Sequence, residues 1–100
     1  MEAAAFAIER DAGGLRLRGW LGFANAAAVT PRWRELIADG VASSEVDAAG
    51  LVRCDSATLA VLLAWAAHAS AAGVRLRFRN LPAELQALAR LCGTEDLLQA

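Results

Sequence analysis

The run LVRCDSATLAVLLAWAA starts at Leu51, passes Arg53 and Asp55, and then holds no Asp, Glu, Lys or Arg from Ser56 to Val74. The spacing predicts a helix from Ser56 to Ala72 that stops at Gly73. With no charge on any side, such a helix has no face suited to water, so the fold must cover both of its flanks or leave one as a docking surface. With Leu59 at the centre of the inward face, Leu62, Leu63, Ala66 and Ser70 pack on a sheet. Ala57, Val61, Ala64, Trp65 and His68 then turn outward. A chain of 100 residues has little left over to cover that side. The outward side is therefore expected to be a partner interface with Trp65 as its anchor.

Strand signals flank the helix. FAIERDAGGLRLRGWL alternates Phe6 and Ile8, turns through Asp11 to Gly14, and alternates Leu15 and Leu17 with Arg16 and Arg18, which predicts a hairpin. Thr30 and Pro31 read as the N-cap and first residue of a short helix with Val29, Trp33, Leu36 and Ile37 on one stripe and Gly40 at its end. A strand is expected from about Glu45 to Leu51. VRLRFRN then alternates strictly, with Val74, Leu76 and Phe78 inward and Arg75, Arg77 and Arg79 outward. Pro82 starts a last helix carrying Leu85, Leu88 and Leu91, Gly93 ends it, and TEDLL adds a turn. Strand-helix-strand succession with short links requires a mostly parallel sheet with right-handed crossovers, so the fold class is α/β and residues 1–100 form one domain.

Asp55 and Ser56 stand where the last residues of a strand meet this helix. Either side-chain oxygen can cap the free backbone N–H groups, and capping alone accounts for the pair. A phosphate on Ser56 would also be tolerated by the helix dipole while placing negative charge beside an apolar docking face. Both readings stand on the sequence.

These residues resemble the STAS domains, whose members include bacterial anti-sigma factor antagonists and the small STAS subunit of Mla-type phospholipid-transport ABC systems. Asp47 matches the family's aspartate in the third strand. The family loop Asp-Ser/Thr-x-Gly-Leu is matched by CDSATL, so Asp55 and Ser56 fall on its aspartate and its phosphorylatable residue. Thr58 replaces the usual glycine and disfavours any positive φ there. LRLRGWLGFANA, PRWREL with Trp33, and NLPAELQALARLCGTEDLL look like the Mla-type branch. The resemblance implies a mixed four-stranded sheet with an N-terminal hairpin and three to four helices. It further implies a bacterial, cytoplasmic, non-enzymatic regulatory subunit that meets the membrane only through its transporter. Its implied partner is the cytoplasmic ATPase subunit, docked against Asp55, Ser56, Ala57, Thr58, Val61, Trp65, His68 and Trp33. The alternative is an anti-sigma factor antagonist switched by phosphorylation of Ser56, with an anti-sigma factor kinase as partner.

Other chemistries find little support. A net charge of -1 argues against nucleic acid as a partner. Cys54 and Cys92 match no zinc or CxxC spacing, His68 has no nucleophile or ligand cluster beside it, and no phosphate-binding glycine motif occurs. No cofactor, metal or catalytic residue is expected. The N-terminal residues lack the basic and apolar regions of a secretory signal, and the uncharged run is too rich in Ala, Ser and Thr for a membrane span. The arginines of the second and last strands read as a solvated sheet face, or as a site for an anionic ligand or acidic surface.

Overall fold

In the computed structural model, which describes residues 6–11, 14–38, 43–94, 96 and 98, the alternating segments become strands β1 (Ala7–Asp11), β2 (Gly14–Gly19), β3 (Ser43–Leu51) and β4 (Arg75–Arg79). They form one mixed sheet in the order β1-β2-β3-β4, with β1 antiparallel to β2, and β2, β3 and β4 parallel. The hairpin closes on the Asp11 and Gly14 pair; its turn, residues 12 and 13, lies outside the described residues. Parallel neighbours need long crossovers. Helix α1 (Phe23–Ala38) supplies the first and α2 (Ser56–Ala71) the second, while α3 (Ala83–Leu91) follows β4. The α/β class and the mixed four-stranded sheet are as expected.

One face of the sheet is the core. Leu15, Leu17, Val46, Ala48, Leu76 and Phe78 are all buried, whereas Arg16, Arg18, Arg75, Arg77 and Arg79 on the other face are exposed. The helices gather on the apolar face, and α2 packs against both α1 and α3. This double contact explains why α2 needs no charged stripe. Its buried residues are Thr58, Leu59, Val61, Leu62, Trp65 and Ala69. The inward face is thus rotated from the expected one: Leu63 and Ala66 are half-buried, and Ser70 is exposed.

The start of α1 also departs from the sequence reading. The helix begins at Phe23 and carries Pro31 in its interior. The alanines between Phe23 and Val29 propagate helix readily. Their start is secured by Asn25, whose Oδ1 accepts from the Gly22 N–H at 2.9 Å and whose Nδ2 donates to the Trp20 carbonyl at 2.8 Å. Pro31 withholds one N–H from the ladder, but Ala27, whose carbonyl loses that partner, is exposed and can turn to water. Thr30 caps nothing and instead donates its hydroxyl to the Ala26 carbonyl at 2.6 Å. The expected end at Gly40 lies outside the described residues.

The other two helices end as predicted. After α2, Gly73 takes φ +80° while its N–H and that of Val74 donate to the Ser70 and Ala69 carbonyls at 3.0 and 2.8 Å. Gly93, at φ +69°, closes α3 in the same way through Arg90 and Ala89. On α3 Leu85 is fully buried, but Leu91, assigned to the core stripe, is 84% exposed at the last residue of the helix. Beyond it, Asp96 and Leu98 are helical and Leu98 is buried.

Candidate functional site

The carboxyl ends of β2 and β3 lie side by side, with the Val52 N–H donating to the Gly19 carbonyl at 2.9 Å. The first turns of α1 and α2 therefore emerge together, the place where open parallel sheets present their loops. The chain turns sharply at Arg53, which has φ +55°, and enters α2 through Asp55.

Asp55 is the N-cap. Its Oδ1 accepts from the Ala57 and Thr58 N–H groups at 3.0 and 3.1 Å, and the Thr58 hydroxyl accepts from the Asp55 N–H at 3.2 Å. This reciprocal capping box places a carboxylate at the positive end of the helix dipole. Thr58 is fully buried and also donates its hydroxyl to the Leu21 carbonyl at 2.7 Å, tying α2 to the β2–α1 loop. The expected loss of a positive φ at Thr58 has no consequence, since the residue is helical and the left-handed turn falls on Arg53.

Ser56 is exposed, and its hydroxyl makes no hydrogen bond with the described residues. The capping assignment is thereby divided: Asp55 and Thr58 cap, and Ser56 does not. Asp55→Ala should lower stability by about 1 kcal/mol and Ser56→Ala should leave it nearly unchanged, measured as urea unfolding free energies of the two variants beside the parent.

The eight residues expected at the interface fall into two groups. Asp55 and Ser56 are exposed and Ala57 and His68 partly so, whereas Thr58, Val61, Trp65 and Trp33 are buried. The outward placement of Trp65 is overturned. Its ring is 2% exposed, stacks on Trp33 at a centroid distance of 4.7 Å and an interplanar angle of 11°, and donates its Nε1–H to the Thr30 hydroxyl at 3.1 Å. Phe6 closes over it at 6.0 Å. The cover judged too scarce comes from α1, whose extra turns before Pro31 bring Ala26 and Thr30 alongside α2. The buried Trp33 Nε1–H has no hydrogen-bond partner among the described residues.

What remains open between α1 and α2 is a shallow groove of about 220 Å³. Ala60 and Ala64 are exposed along it, Trp33 and Trp65 form its floor, and Arg34 and His68 stand at its rim. Phe23, 71% exposed at the first residue of α1, also borders it. The sequence reading placed Ala64 on the outward face, as found, but missed Phe23 and Ala60. A periodicity argument finds Ala60 and Ala64, one and two turns beyond Ser56, but only the true start of α1 puts Phe23 beside them.

Asp47 lies on the arginine face of the sheet, beside Arg16 and Arg79. Between the pairs Arg16–Asp47 and Arg18–Gly50, β3 carries one extra residue. Asp47 Oδ1 accepts the Ala49 N–H at 3.0 Å and the side chain of Asn80 at 3.2 Å, so it joins this bulge to the β4–α3 loop. The Ala49 N–H and then Asn80 hold its carboxyl below its ordinary value; burial opposes them, and the charges of Arg16 and Arg79 add to the lowering. A lowered folded-state pKa stabilises the fold fully above the unfolded value and ceases to as pH falls through the folded one. Denaturation at a series of acidic pH values should accordingly show a shallower loss of stability in Asp47→Asn than in the parent. Cys54 is inert by contrast: burial, then the nearby Glu84 and Asp55 charges, push its thiol up to about 11.

The site thus consists of a mixed sheet covered by helices on one face, with a capped helix start and an exposed serine at the carboxyl ends of its parallel strands, an α/β class of fold. The family model described as "Mlab, STAS domain" matches residues 4–99, and the chain belongs to the STAS-domain family. No curated protein matches the chain. Among the described residues no helix is long and apolar enough to cross a membrane, and no group of three or more His, Cys, Asp or Glu is placed to hold a metal ion.

Proposed function

We propose that this chain is a non-enzymatic regulatory or accessory subunit that binds the cytoplasmic ATPase of a bacterial phospholipid-transport ABC system, and so sits at the inner membrane through its partner. The observation that carries this is the Ser56 hydroxyl, exposed and without a hydrogen bond to the described residues, one helical turn before Ala60 of the groove that the exposed Phe23 also lines. A free polar group beside a largely apolar groove suits docking that excludes water around a small hydrogen-bonding centre. The family description naming Mlab supports the transporter branch. The docking surface is then Ser56, Ala57, Ala60, Ala64, His68 and Phe23, with Asp55 fixing the helix start.

Ser56→Asp should keep the parent's melting temperature, since it leaves the capping box intact, and weaken binding to the purified ATPase subunit by about tenfold or more. Titration calorimetry on the folded variant decides it; undiminished affinity removes Ser56 from the interface. The same exposed hydroxyl favours a second reading, an anti-sigma factor antagonist phosphorylated at Ser56. Transfer of labelled phosphate from ATP to Ser56 by an anti-sigma factor kinase, with no binding to the ATPase, would select that reading.

A further inference from the structure

The opposite end of the sheet has an open edge. Among the described residues β4 pairs only with β3. In a parallel ladder alternate residues turn both main-chain groups toward the same neighbour, so the remaining residues of β4 direct their N–H and C=O groups away from the sheet. On the helix side of this edge lies a mostly apolar cleft of about 310 Å³ between α2 and β4, lined by Leu63, Ala66, Ala67, Ser70, Val74 and Leu76 together with Arg75. It is the flank of α2 that the rotation of the helix leaves half-buried.

On the other side of the same edge the charges are unbalanced. Arg18 pairs with Glu9 at 2.8 Å and Arg79 with Glu45 at 2.7 Å, but Arg75 and Arg77, both exposed, form no ion pair with the described residues. A strand added to β4 would send alternate side chains to the two faces. One set would enter the apolar cleft, and the other would meet Arg75 and Arg77.

We propose that β4 accepts an extended segment of a partner protein as a fifth strand, and that this segment alternates apolar and acidic side chains. Main-chain hydrogen bonds would supply affinity, and the cleft and the two arginines would select the sequence. A second copy of this chain is a poor occupant, because antiparallel pairing of two β4 edges would set arginine against arginine on one face. This surface is separate from the Ser56 groove and does not depend on the function assigned to that groove.

The test uses the isotope-labelled chain and a capped peptide alternating valine and glutamate, compared with its valine and lysine counterpart. Two further versions of the glutamate peptide carry N-methyl groups on one or the other set of alternate amides. Amide shifts should concentrate in residues 74–80 and 63–70. The lysine peptide should bind about tenfold more weakly or worse. One N-methylated version should lose binding and the other keep it, since only one set of amides faces β4. Charge reversal by Arg75→Glu with Arg77→Glu should invert the preference between the two peptides; if that variant does not fold, Arg75→Gln with Arg77→Gln should remove it. Absence of binding by the glutamate peptide, equal binding of the lysine peptide, indifference to N-methylation, or shifts confined to the α1–α2 groove would each overturn the proposal.

Discussion

Trp65→Glu is expected to leave the chain largely unfolded at room temperature. The indole stacks on Trp33, touches Phe6, and spends its one donor on Thr30 in a site with 2% exposure. Removing a buried Trp side chain costs about 3–5 kcal/mol, and the incoming carboxylate adds the cost of burying a charge with no partner. Domains of this size are stable by only about 5–15 kcal/mol. The loss therefore consumes most or all of the margin. Far-ultraviolet circular dichroism with a thermal scan checks it, and a folded Trp65→Glu melting near the parent would put the side chain back on the surface. Trp65→Phe, which keeps a ring on Trp33 but abandons Thr30, should be damaged far less.

The second large effect belongs to Gly14→Ala. Gly14 has φ +154°, and a Cβ there would stand 2.0 Å from the Glu45 carbonyl oxygen in the neighbouring strand. That oxygen is main chain and cannot swing aside, so β2 must move away from β3 at the start of their pairing. Strain of this kind together with the clash should cost about 3 kcal/mol or more. Gly73→Ala makes the natural control: its φ is +80°, but nothing lies within 4 Å of the new methyl. Only the left-handed backbone penalises it, by about 1 kcal/mol. Urea midpoints for the two variants should separate clearly, and equal midpoints would mean that the strands part without cost.

Much of the fold was legible because the signals were local. Val74, Leu76 and Phe78 alternate with arginines in strict strand period, Leu15 and Leu17 do the same, and Gly73 and Gly93 mark helix ends that few other residues could form. The family resemblance was legible too, since Asp47 and the Asp55-Ser56 pair stand at fixed places along the chain. The site was only half legible. Asp55 and Ser56 were placed at the right helix terminus, yet their separate tasks depend on Thr58, whose hydroxyl binds both Asp55 and the distant Leu21 carbonyl.

The sequence by itself determined the elements, their order and the absence of charge along α2, because propensity and periodicity act between near neighbours in the chain. Which flank of α2 would be covered was decided only by tertiary structure. Alanines before Pro31 extend α1 far enough to lay Thr30 and Trp33 against Trp65, so the residue that looked like an exposed anchor became the centre of the core. A helical wheel counts neighbours around one axis. It carries no information about a second axis packed beside it, and burial is a property of the pair.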